Sequence, residues 1–92
     1  MFNSFVIHFI YADDCNDCED MRNTILKAIN NSSFKNGCEI KEINSDKDEA
    51  VNLAIENDID DLPACVIGNF SFCGKNGYSY KSILEAIEKS LE

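Results

Sequence analysis

Phe5-Val6-Ile7-His8-Phe9-Ile10-Tyr11, then Ala12-Asp13-Asp14, then Cys15-Asn16-Asp17-Cys18: this succession decides how the chain is read. The first seven residues form a continuous β-branched and aromatic run, the pattern of a strand buried on both faces. His8 lies inside that run, on the face of Val6 and Ile10, and reads as a partly buried strand residue rather than a base. From Cys18 the period changes, with Met21, Ile25, Ala28 and Ile29 recurring at helical spacing until Asn30-Asn31-Ser32-Ser33. Asp17, Glu19 and Asp20 fall where a helix N-terminus favours negative charge.

Working outward, Gly37 opens a second strand, Cys38–Ile43, whose imperfect alternation suits a sheet edge. Asn44-Ser45-Asp46 is expected to cap a second helix, with Asp46 and Glu49 at capping-box spacing. Ala50, Val51, Ala54 and Ile55 are expected to form that helix's buried side. Beyond the polar stretch Asp58–Asp61 and Leu62-Pro63 come two short runs, Ala64–Ile67 and Phe70–Cys73. Gly68-Asn69 between them is a two-residue hairpin signal. Tyr80, Ile83, Leu84, Ile87 and Leu91 give the stripe of a last helix. The order is β-α-β-α-β-β-α, an α/β chain with a parallel first half and a hairpin in the second, closing into one four-stranded mixed sheet with helices on both faces.

Ninety-two residues, 45% of them apolar and 27% charged, make one domain over residues 1–92. Seventeen acidic against eight basic residues leave a net charge of −9. That surface excludes nucleic acid, whose phosphates demand Lys and Arg, and disfavours anionic membranes. The run Phe5–Ala12 is far too short to span a bilayer, and Met1–Tyr11 lacks the basic start and small-residue end of a secretory signal. The expectation is a soluble cytoplasmic monomer. Five cysteines, an odd number, do not suit a secreted disulfide scaffold. Catalysis, metal binding or burial remain as their roles.

Cys15 and Cys18 stand between a strand and a helix, where a C-x-x-C pair reads as a redox motif. The first cysteine lies near free backbone N–H groups of the helix start, which with the helix dipole favour thiolate over thiol. The second, one turn along, is expected to be more buried. Attack of a Cys15 thiolate on a substrate disulfide, followed by resolution through Cys18, would reduce the substrate. Asp13, Asp14, Asp17, Glu19 and Asp20, opposed only by Arg22, weigh against the thiolate and toward a reductant.

On these features the chain resembles the glutaredoxin-like branch of the thioredoxin superfamily over nearly its whole length, and so the minimal thioredoxin fold. The resemblance implies that Pro63 is cis and faces the cysteine pair, and that Leu62 offers its N–H and C=O to substrate. The stretch Ile67–Gly74 is similar to the hairpin and glycine pair of glutaredoxins, with Cys73 where the first glycine would be. Asn16-Asp17 stands between the cysteines in place of the Pro-Tyr or Gly-Pro of those relatives, and Phe9 replaces the buried aspartate of thioredoxins. The basic residue with which glutaredoxins hold a glutathione carboxylate has Ala12 and Asp13 in its region. The implied partners are a protein or small disulfide and a thiol or reductase electron donor, glutathione being one co-substrate to consider. No cofactor beyond the redox-active disulfide is expected.

Cys38 and Cys65 read as small apolar core residues. Cys73 reads as packing, with a second disulfide or a regulatory cap as alternatives; with Gly74 and Tyr78 it is an auxiliary candidate at the site. Tyr80 reads as core. A zinc site through Cys65 and Cys73 would lack the second C-x-x-C of zinc ribbons, so no metal is expected. The competing functional reading is a redox-inactive module that docks a basic partner through its acidic face.

Overall fold

The apolar run forms β1 (Phe5–Tyr11), an inner strand of a four-stranded sheet ordered β2-β1-β3-β4. The chain is represented by a computed structural model that describes residues 5–33 and 36–90. Strand β2 (Cys38–Asn44) lies parallel to β1 with Phe5 opposite Cys38 and Tyr11 opposite Asn44. It is an edge strand, consistent with its irregular alternation, and runs one residue longer than its pattern suggests. On the other side β3 (Ala64–Ile67) runs antiparallel to β1, and β4 (Phe70–Cys73) antiparallel to β3. Gly68 takes φ +59°, the positive value that a tight hairpin asks of its first turn residue.

The helices are α1 (Asn16–Asn31), α2 (Asp48–Glu56) and α3 (Tyr80–Ser90), so the expected order of elements holds. Residues alternate between the two faces of β1, and each face has its own cluster. On one face Ile7 and Phe9 pack with Met21 and Ile25 of α1, Cys65 and Ile67 of β3, and Ile83 and Ile87 of α3. On the other, Ile10, Ile43 and Ala64 pack with Ala50 of α2. Each large apolar side chain fully buried in these clusters stabilises the fold by about 1.5–3 kcal/mol.

Several local expectations are corrected. Helix α1 begins at Asn16 rather than Cys18, because Cys15 itself is the N-cap. Helix α2 is not closed by an Asp46–Glu49 capping box. Its N-cap is Lys47, without a side-chain cap, while the Asp46 N–H donates to Asn44 Oδ1 at 2.9 Å. Asp48 and Glu49 in the first turn still oppose the helix dipole favourably. Val51 and Ile55 are exposed instead of buried. Tyr80 is on the surface, where its hydroxyl accepts from Asn31 Nδ2 at 3.0 Å and Lys27 Nζ sits 5.4 Å from its ring centre. It ties α3 to α1 from outside the core. Leu91, assigned to the α3 stripe, lies outside the described residues. Helix α3 starts on a reciprocal pair: Ser82 N–H donates to Ser79 Oγ at 3.1 Å, and Ser79 N–H donates to Ser82 Oγ at 2.8 Å.

Candidate redox site

Cys15 owes its position to the turn from β1 into α1. Asp14 just before it adopts φ +54°, a left-handed conformation that Asp tolerates better than most residues. Cys15 then returns to extended backbone at φ −116° and caps the helix, its Sγ accepting the Cys18 N–H at 3.1 Å. A sulfur thus takes the place usually held by a Ser or Asp oxygen, against one of the free donors of the helix start. Cys15 and Cys18 are joined as a disulfide, with Cα atoms 5.2 Å apart. Their exposure differs. Cys15 is half-buried at the surface, whereas Cys18 is 4% exposed and packed in the α1/α3 cluster.

A cleft of about 450 Å³ opens over the pair, lined by both cysteines and by Asp13, Asp14 and Glu19. Arg22, the basic residue expected to oppose these carboxylates, is engaged by Glu42, with Nε 3.0 Å from Oε1. Both partners are partly exposed, so the pair contributes little to stability, but it leaves the cleft acidic.

A second cleft, of about 540 Å³, is lined by Asp17 from within the cysteine motif and by Asp61, Leu62, Cys73 and Gly74. The Leu62–Pro63 peptide bond is cis, and the Pro63 carbonyl accepts the Gly74 N–H at 2.8 Å, tying the proline segment to the end of β4. Cys73 donates from Sγ to Asp60 Oδ1 at 3.7 Å. Tyr78 lines neither cleft. It packs against the α1/α3 cluster, and burial raises its hydroxyl's pKa. A hydrogen bond with Thr24 acts in the opposite direction, and the charges of Asp20 and Asp17 add to the rise.

The remaining cysteines are separated. Cys65 is fully buried against α1 and α3, and burial, with a smaller contribution from Cys73, pushes its thiol up to about 12. Cys38 is half-buried, and its thiol is also raised by burial. Cys65 and Cys73 belong to opposite faces of the sheet. Among the described residues no three His, Cys, Asp or Glu side chains come together as metal ligands. Nor is any described helix long and apolar enough to cross a membrane.

Two features of the site escaped the sequence. The Asp61 carboxylate accepts the Leu62 N–H at 2.8 Å, so that N–H is already engaged. The readable signal was an Asp preceding Leu-Pro, since Asp side chains bond nearby backbone donors in turns. The Arg22–Glu42 pairing had no local signal, because its partners are 20 residues apart.

The fold is thioredoxin-like. Thioredoxin 1 from the thermophilic eubacterium Thermosipho africanus superposes with a TM-score of 0.60 at 20% identity, over 94% of this chain and 93% of that one. A structure described as that of a malarial protein matches with a TM-score of 0.60 at 17% identity, over 98% and 100% of the two chains. No family model matches the sequence, and no curated protein matches it. The thioredoxin-like fold and the strand–disulfide–helix placement are therefore established together, on architecture rather than on close sequence likeness.

Proposed function

We propose that the protein is a thiol–disulfide oxidoreductase that reduces disulfides by a dithiol route. The observation that carries this reading is the asymmetry of the pair. Cys15 caps α1 with its sulfur against a backbone donor and faces a cleft, while Cys18 is buried directly behind it.

In the reduced protein, the Cys15 thiolate attacks one sulfur of the substrate disulfide. A Cys15–substrate bond forms and the other substrate sulfur leaves as a thiolate, which takes up a proton. Cys18, as thiolate, then attacks Cys15 Sγ, closing the Cys15–Cys18 disulfide and releasing the second substrate sulfur, which is also protonated. Two electrons pass from the protein to the substrate, and a thiol or reductase donor restores the dithiol. Donors at the helix start stabilise the attacking sulfur, whereas the carboxylates around the cleft oppose it. That balance supports a reductant rather than a strong oxidant. Leu62, on the neighbouring cleft, is assigned to main-chain contact with substrate through its carbonyl, and Pro63, buried beside it and bonded to the Gly74 N–H, to holding that segment in place. Cys73 and Gly74 are assigned to its surroundings, whereas Tyr78, which lines neither cleft, is not.

The test is equilibration of the protein against glutathione and dithiothreitol buffers, with Cys15→Ser as control. A reversible two-electron couple that vanishes in the variant supports exchange, and a low potential supports the reductant assignment. Thiols that stay free in oxidising buffer would favour the second reading, a module that docks a basic partner through the acidic cleft. The observation behind that alternative is the engagement of Arg22 by Glu42, which leaves Asp13, Asp14 and Glu19 unopposed.

A further inference from the structure

Helix α2 turns part of its apolar stripe outward. Val51 and Ile55, one helical turn apart, are 48% and 71% exposed. With Ile59 and Leu62 they line an open groove of about 370 Å³, at whose base lies buried Ile10. Asp60 and Asp61 border it, and no Lys or Arg lines it among the described residues. The groove shares Asp61 and Leu62 with the cleft lined by Asp17 of the cysteine motif and by Lys75, so it adjoins the side of the molecule that carries the Cys15–Cys18 pair.

We propose that this groove docks the polypeptide that brings a disulfide to Cys15, taking an aliphatic side chain beside Val51 and Ile55 and a Lys or Arg facing Asp60 and Asp61. The inference rests on the exchange reading for what the docked segment delivers. The docking itself rests on the groove. Its apolar lining disfavours a wholly polar occupant, because exposed Val and Ile gain by being covered. Its carboxylate border and the net charge of −9 select a basic one by attraction and by long-range steering. A second copy of this chain would bring the same carboxylates and the same net charge against it, and an anionic lipid surface would be repelled likewise. A segment with both aliphatic and basic side chains satisfies both features.

Two labelled peptides with serine in place of cysteine, one with Ile and Arg in the flanking positions and one with Ser and Glu, test the docking by fluorescence anisotropy. The wild-type protein is expected to bind the Ile/Arg peptide at least about tenfold more tightly. The difference should shrink in Val51→Ser/Ile55→Ser, and added salt should weaken what Asp60 and Asp61 contribute. Asp60→Asn should also shrink the difference, and what remains should be less sensitive to salt than in the wild type. Cystine-bridged forms of the same peptides, with rates normalised to bis(2-hydroxyethyl) disulfide, should show the same ratio in kcat/KM. Turnover of bis(2-hydroxyethyl) disulfide without any peptide preference, or a preference that Val51→Ser/Ile55→Ser leaves undiminished, overturns the groove and leaves exchange standing. So does self-association, seen by sedimentation, that the double variant abolishes. Intact peptide preference with no turnover of any disulfide supports the groove and overturns the exchange reading instead.

Discussion

The two faces of one sheet are built very differently. Over the α1/α3 face, Ile7, Phe9, Met21, Ile25, Ile67, Ile83 and Ile87 are all but fully buried, and two helices cover the strands. Over the α2 face the buried set is Ile10, Ile43, Ala50 and Ala64, supported by half-buried Leu53, Ile59, Leu62 and Cys73. The thicker face holds Cys18 in place, and most of the burial that stabilises the fold is there. The thinner one leaves aliphatic side chains in solvent beside Leu62. The burial that stabilises the fold and the groove proposed for docking thus lie on opposite sides, and the cysteine pair sits where the inner strand β1 leads into the helix of the thicker side.

The sharpest way to break this comparison is to truncate each face. Phe9→Ala should cost about 3–5 kcal/mol in urea unfolding, because the cavity it leaves is enclosed by two helices. Ile55→Ala should stay within about 0.5 kcal/mol, because its side chain is largely in water. Similar losses at both positions would erase the distinction.

The next test uses Cys65, on the thicker face, whose thiol is pushed from an ordinary 9.0 to about 12 by burial and by Cys73. Between those values the unfolded chain has released a proton that the folded one retains. The stabilising difference is therefore complete below the lower value and declines as pH rises toward the upper. The slope should be on the order of 1 kcal/mol per pH unit. Guanidinium unfolding between those pH limits should show a steeper decline in the wild type than in Cys65→Ala, where only the smaller contributions of groups such as Cys38 and Tyr78, also raised by burial, remain.

Gly74, at the end of β4, offers a smaller effect. It has φ +79°, and a Cβ there would lie 2.8 Å from Asp61 Oδ2. Gly74→Ala should cost about 1–2 kcal/mol through the left-handed backbone, since the carboxylate can swing aside. Adding Asp61→Ala should then recover little of that loss. Full recovery in urea unfolding would mean that the side-chain contact dominates. Smallest of all, Asp58→Gly should raise stability by up to about 1 kcal/mol, because Asp58 holds φ +54° on an exposed turn. A lowered unfolding midpoint would show that the aspartate compensates for its conformation.

Much of the architecture could be read from local pattern. A seven-residue β-branched run, a change of period at the cysteines and a Gly68-Asn69 turn each act over a few residues, and each is found as an element of the fold. Helix caps were harder. Asp46 and Glu49 have the spacing of a box, yet Asn44 takes the Asp46 N–H and the helix starts later, at Asp48 after an N-cap at Lys47. At the other end of the chain, Ser79 and Ser82 form a reciprocal cap that serine alone rarely announces.

By itself, then, the sequence determined the order of elements and the placement of Cys15 and Cys18 between strand and helix, because backbone preference and hydrophobic period are local properties. Tertiary structure decided which apolar stripes are covered. Periodicity marks a face without saying what packs on it, so Val51 and Ile55 share the spacing of a core stripe and still meet solvent. It also decided the site's charge environment, by bringing Glu42 to Arg22 across 20 residues of chain. And it brought Asp17 of the cysteine motif to the same cleft as Leu62 and Gly74, a juxtaposition of distant segments that no local pattern encodes.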